Sequence, residues 1–184
     1  MRSEEIEVKT VLRIAISLLI IAPVVFGGVI TTGQWYEFHY HGAGDWGHEC
    51  AGDCVAGTPS GISVDADTPP WTISGDVALT ITDAFLGGDN FSVFDNAALV
   101  GTTPVVGTAG NCSSAVATCL VDPEMSHATF ALGSGSHSIT IQVENSPHGS
   151  GAAFFQVNPV PEPATYLLFA TGLAGVWLAR KRLS

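Results

Sequence analysis

Apolar side chains in the middle of this 184-residue chain recur at every second position, and no stretch between them keeps helical spacing. Tyr36, Phe38 and Tyr40 alternate with Glu37 and His39. Val77, Leu79 and Ile81 alternate with Ala78, Thr80 and Thr82, and Ile139, Ile141 and Val143 with Ser138, Thr140 and Gln142. Successive side chains of a strand point to opposite faces, so each segment offers one apolar face to a core. Shorter runs at 71–74, 91–94, 98–102, 128–132 and 153–157 read as further strands. The separators are turn chemistry: Gly87-Gly88-Asp89-Asn90, Asp95-Asn96, Gly133-Ser134-Gly135 and Asn145-Ser146-Pro147. About eight short strands joined this way predict an all-β fold, an antiparallel β-sandwich.

Charge narrows what such a sandwich can meet. All 6 basic residues lie at the ends: Arg2, Lys9 and Arg13 at the front, Arg180, Lys181 and Arg182 at the back. Four of the 17 acidic residues (Glu4, Glu5, Glu7 and Glu162) also lie outside 28–160, which leaves that stretch 13 carboxylates and no Lys or Arg. Such a surface repels phosphate backbones and anionic headgroups, so nucleic acid is excluded as a partner. It also lacks the cations that grip nucleotides and anionic metabolites. With 46% apolar residues the chain has the material for a core, which argues against disorder.

Both ends read as addresses. Residues 14–30 form an uncharged apolar run broken only by Ser17 and Pro23, with small residues at Gly27 and Gly28. This fits a signal-peptide helix over 1–27, and the run is short for a permanent span. Glu4, Glu5 and Glu7 offset the basic residues expected there, and a translation start at Val8 or Val11 removes them. At the back, Pro161-Glu162-Pro163 precedes an uncharged run over 164–179 and then Arg180-Lys181-Arg182. A stiff extended tripeptide, a thin apolar helix of about 24 Å and a cytoplasmic basic cluster are the parts of a membrane-held tail. The order of these parts resembles the PEP-CTERM sorting signal of exported proteins in Gram-negative bacteria, a tail also labelled an ice-binding-protein C-terminal domain. The resemblance implies membrane insertion by the helix and trimming by an exosortase-like protease, not ice binding. The expected organisation is a signal peptide at 1–27, a sandwich at 28–158 and a sorting tail at 159–184 with a transmembrane helix at 164–179.

The stretch from Thr82 to Asn96, and Gly135-Ser136-His137-Ser138-Ile139-Thr140-Ile141 later, resemble a body domain common among PEP-CTERM proteins. That resemblance implies a jelly-roll-like sandwich. Its relatives often place Gly after Asp-Asn at the hairpin turn; Ala97 stands there in this chain, which predicts a different turn.

Cys50, Cys54, Cys112 and Cys119 form two local pairs, as an exported protein favours. Cys50–Cys54 and Cys112–Cys119 are the simplest disulfides, and two cross-pairings remain open. His39, His41, His48, Glu49, Cys50 and Cys54 fall close together and invite a zinc reading, with His39 and His41 on one side of a strand. The spacings that mark a zinc site are absent, and oxidised cysteines offer no thiolate, so the segment reads as a polar, disulfide-closed loop. A structural calcium is the better metal expectation, held by Asp83, Asp89 and Asp95, with Asp65 and Asp67 a second choice.

Carboxylates are plentiful, but no nucleophile elbow occurs. Ser126-His127 and Ser136-His137 are strand neighbours that point to opposite faces. The sequence therefore reads as a non-enzymatic, exported envelope or extracellular-matrix protein, structural or adhesive, with extracellular polysaccharide as a candidate partner. The alternative is a lectin-like carbohydrate-binding module using Trp35, Trp46, Trp71 or Tyr36; an enzyme ranks last. Solvent exposure of those aromatics discriminates the first two readings.

Overall fold

The three alternating segments and the five shorter runs all form strands. The computed structural model describes residues 27–49 and 63–160. In chain order the elements are β1 (Trp35–Tyr40), β2 (Ser63–Asp65), β3 (Trp71–Ser74), β4 (Val77–Asp83), β5 (Phe85–Leu86), β6 (Asn90–Asp95), β7 (Ala98–Thr102), β8 (Asn111–Ser113), α1 (Val116–Cys119), β9 (His127–Gly133), β10 (Ser136–Asn145) and β11 (Gly151–Pro159). The strands the sequence did not mark, β2, β5 and β8, span two or three residues and are too short for alternation to register.

Five strands form one sheet in the order β2-β1-β11-β4-β9, and four form another in the order β3-β10-β6-β7. β5 and β8 make a separate two-stranded ribbon. β1 and β2 run parallel and the other pairs antiparallel, so the larger sheet is mixed. The inward rows of the two sheets share one core: Tyr36, Phe38, Tyr40, Leu79, Ile81, Phe155 and Val157 from the first, Trp71, Phe91, Val93, Ile139, Ile141 and Val143 from the second. Phe38 sits at its centre, with ring centroids 5.7 Å from Trp71, 5.7 Å from Phe91 and 6.1 Å from Phe155. Burying a ring of this size contributes roughly 2–3 kcal/mol, so the aromatic stack is a main reason the sheets stay together.

The larger sheet is buried on its other face as well. The chain between β7 and β9 carries β8 and α1 across it and builds a second cluster of Ala84, Cys112, Val116, Cys119, Met125 and Phe154. Phe154 and Phe155 on β11 thus face opposite clusters and are both fully buried. The Cys112–Cys119 disulfide closes this cap. Cys50 and Cys54 lie outside the described residues, as do the helices expected over 1–27 and 164–179, Gly27 apart. Among the described residues no helix is long and apolar enough to cross a membrane.

The β6–β7 turn corrects one expectation. Asn96 and Ala97 adopt φ of 49° and 65°, and Asp95 pairs with Ala98, so this is a two-residue hairpin loop with both central residues left-handed. Ala97 adopts the conformation that Gly would take. Asn96 holds the turn down: its N–H donates to Ser138 O at 2.9 Å and its Nδ2 to Ser136 O at 3.1 Å.

Candidate functional site

The outward face of the smaller sheet carries the exposed aromatic surface. With Phe91 and Val93 turned to the core, alternation turns Ser92 and Phe94 outward, alongside Gln142 and Thr140 of β10 and Thr102 and Leu99 of β7. The loop after β1 extends this face beyond β3. Gly44 N–H donates to Val143 O at 2.7 Å, Val143 N–H to Asp45 O at 2.9 Å, and Gly47 N–H to Ile141 O at 2.8 Å. Gly47 is required there, because a Cβ would stand 2.6 Å from the Phe38 ring. Trp46 is thereby placed beside Gln142, its ring 5.3 Å from Phe94 and 46% exposed. Leu99, opposite Phe94, is 59% exposed. Trp46, Phe94 and Leu99 make an apolar strip on a face otherwise bearing hydroxyls and an amide, chemistry suited to the C–H faces and hydroxyls of a sugar. Of the other aromatics nominated from sequence, Trp71 and Tyr36 are core residues and Trp35 packs half-buried against the second cluster.

The calcium trio divides. Asp83 and Asp89 lie together in the interior: Asp83 Oδ1 accepts Ala84 N–H at 2.8 Å and Oδ2 accepts Asp89 N–H at 3.1 Å, while Asp89 Oδ2 accepts the Tyr40 hydroxyl. Burial pushes Asp83 up to about 8, with the neighbouring Asp89 adding to it, and burial raises Asp89 as well. Tyr40 is raised by burial and by the two carboxylates. Asp95 lies at the opposite end of β6, about 20 Å along the strand, so one ion cannot bind all three. Its Oδ2 instead meets His137 Nδ1 at 2.8 Å, and His137 Nε2 faces the carbonyls of Gly75 and Gly133 at 3.1 and 3.2 Å. Burial pulls His137 down, but the Asp95 carboxylate and those carbonyls outweigh it and hold the ring above its usual range. Asp65 and Asp67 are exposed.

The histidine segment is also rearranged. β1 ends at Tyr40, so His39 and His41 do not share a strand face. His39 is buried with Glu37, Nε2 to Oε1 3.7 Å, on the far side of the larger sheet from the main core. Burial and the Asp65 charge push Glu37 up to about 7, and burial lowers His39. His41 begins the loop and meets His48, ring centroids 4.7 Å apart. Asp45, which the sequence reading passed over, stands between them: its Oδ2 accepts His41 N–H at 2.8 Å and lies 3.9 Å from His48 Nε2. The His-x3-Asp-x2-His spacing was the available signal. Glu49 accepts a hydrogen bond from Thr68 instead.

Neither Ser–His neighbour forms a catalytic couple. Ser126 Oγ lies 2.6 Å from Thr103 Oγ1 and 2.5 Å from Pro104 O, and His127 Nδ1 is 2.9 Å from Met125 O. His137 is held by Asp95, and Ser136 Oγ lies 3.4 Å from Ser74 Oγ.

Pro161, Glu162, Pro163, Arg180, Lys181 and Arg182 lie outside the described residues, and the comparison with known families bears on them. Residues 159–182 match the PEP-CTERM protein-sorting motif. The match covers far less than half of the chain and concerns its routing, leaving the sandwich unassigned. No curated protein and no solved structure matches the chain. The motif marks an exported protein, processed by exosortase-like sorting machinery and sorted to the cell envelope.

Proposed function

We propose that this chain is a non-enzymatic structural or adhesive component of the cell envelope or extracellular matrix, delivered there by its C-terminal sorting signal. The observation that carries the reading is the direct junction between sandwich and signal: β11 ends at Pro159, where the matched motif begins. In this reading the apolar run at 164–179 holds the protein in the inner membrane until the sorting protease cuts near Pro161-Glu162-Pro163. The strand order supports a jelly-roll body. Leaving out the short strands, one sheet takes the first, eighth, third and sixth strands and the other takes the second, seventh, fourth and fifth, which is the double Greek key. A structural calcium at Asp83 and Asp89 has less support, because Asp95 stands at the far end of β6 and cannot join them, while calcium takes about six to eight oxygen ligands.

Intact mass of the native protein from envelope and medium fractions tests the routing. The expected result is loss of the residues before about Gly28 and after about Glu162. A full-length mass confined to the inner membrane overturns it.

A second reading, carbohydrate binding, is favoured by the Trp46–Phe94–Leu99 strip. Electrophoresis through gels containing the host's extracellular polysaccharide should retard the protein, and Trp46→Ala should abolish the retardation. Equal mobility of the two proteins in every gel sinks this reading.

A further inference from the structure

We propose that His41, Asp45 and His48 form a three-ligand site for a divalent transition-metal ion, of which zinc is the representative, with a remaining coordination position open to an external ligand. Each residue brings one ligand atom to within 4.8 Å of the others. A tetrahedral zinc ion at ~2.0–2.2 Å from nitrogen and oxygen sets its donors about 3.3–3.5 Å apart, so the site must contract by about 1 to 1.5 Å. His41 is exposed and its ring is free to swing that far.

The other two ligands are held in place. Reciprocal backbone bonds with His39, 3.0 and 2.9 Å, fix His48. Its Nδ1 lies 2.6 Å from the Glu49 carbonyl oxygen, which accepts a hydrogen bond from Nδ1–H and so leaves the lone pair on Nε2. That Nε2 is shielded from water and has no hydrogen-bond partner, although it faces Asp45. Asp45 is oriented by two backbone donors, His41 N–H on Oδ2 and Trp46 N–H on Oδ1 at 2.9 Å. Each carboxylate oxygen keeps a lone pair beyond these bonds. Gly44, at φ 83°, makes the tight return that brings Asp45 back over His41.

Donor chemistry selects the ion. Two imidazoles and one carboxylate suit zinc and its neighbours, whereas calcium and magnesium prefer shells of oxygen. No Lys or Arg between residues 14 and 179 competes for the carboxylate, and the acidic body concentrates cations near it.

Isothermal titration of the oxidised full-length protein with zinc chloride, and separately with calcium chloride, tests the site. The expected result is one zinc per chain and no matching calcium isotherm. His41→Ala and His48→Ala should each weaken zinc at least tenfold, and Cys50→Ser/Cys54→Ser should leave it unchanged. His41 is exposed, so its variant keeps the fold. Absence of saturable zinc binding, binding that survives both histidine substitutions, or binding lost with the cysteines overturns the proposal.

Discussion

Replacing Glu37 by Gln should make the protein more stable, and by an amount that depends on pH in a defined sense. Glu37 is 1% exposed, neither carboxylate oxygen has a hydrogen-bond partner, and its neighbour His39 is itself disfavoured as a cation by burial. The folded protein therefore keeps Glu37 protonated up to about 7, whereas the unfolded chain releases that proton near 4.5. Below the unfolded value both states hold the proton and the carboxyl costs nothing. Between the two values only the unfolded chain ionises, so stability drains away as pH rises, and above about 7 the loss is complete. A gap of about 2.5 units at about 1.36 kcal/mol per unit amounts to roughly 3 kcal/mol. Glutamine has the same shape and no charge. The Glu37→Gln variant should match the wild type at pH 4 and exceed it by roughly 3 kcal/mol at pH 8. His39 works in the opposite sense, losing stability as pH falls below its ordinary range, so it does not by itself produce a gain that grows as pH rises. Urea unfolding followed by tryptophan fluorescence, with Trp71 in the core as reporter, measures that difference from pH 4 to 8. A difference that is flat across this range, or largest at low pH, refutes the buried neutral carboxyl.

Three further outcomes follow from local geometry. Ala97→Gly should stabilise the protein by about 1 kcal/mol, a rise of about 2–4 °C in melting temperature, because Ala97 holds a left-handed φ that glycine adopts freely. His137→Ala should cost roughly 1.5–3 kcal/mol at pH 5, where the charged ring donates to Asp95 and to two carbonyls. The cost should shrink as pH climbs past the raised value of His137, because the ring's charge is then lost from the folded state; chemical denaturation at pH 5 and 9 compares the two. Joint replacement of Cys112 and Cys119 by Ala should lower stability by roughly 2–3 kcal/mol, the entropy of so short a loop, as read from the urea midpoint.

The sandwich was legible because its long strands bury one face against the other sheet, and burial of one face writes itself into alternation. Glu37 and His39 show where that reading stops. Their polar character marked them as the solvent side of β1, yet the sheet's far face is buried too, alongside a cap whose chain between β7 and β9 has little periodicity to read. The histidine cluster was half legible. Proximity in sequence brought His41 and His48 to notice, but the end of β1 at Tyr40 separates His39 from them, and Asp45 joins through a turn that only Gly44 makes possible. Asp95 looked like a loop carboxylate of the same kind as Asp83 and Asp89. The length of β6 places it beyond their reach, against a histidine 42 positions later in the chain. The Trp46–Phe94 contact joins a glycine-rich loop to a strand segment, and no local pattern encodes it.

The placement of β11 sets how the body answers a mechanical load. The sorting motif continues from its last residue, so tension on the tail acts along the axis of that strand. β11 is not an edge: it is bonded to β1 on one side and β4 on the other, antiparallel to both. Hydrogen bonds perpendicular to the direction of pull are loaded together rather than opened one by one, and Phe155 and Val157 must be dragged through the core at the same time. A tether joined to a hairpin at the rim would peel; this one is joined in shear. The fold can therefore bear tension applied through Pro159.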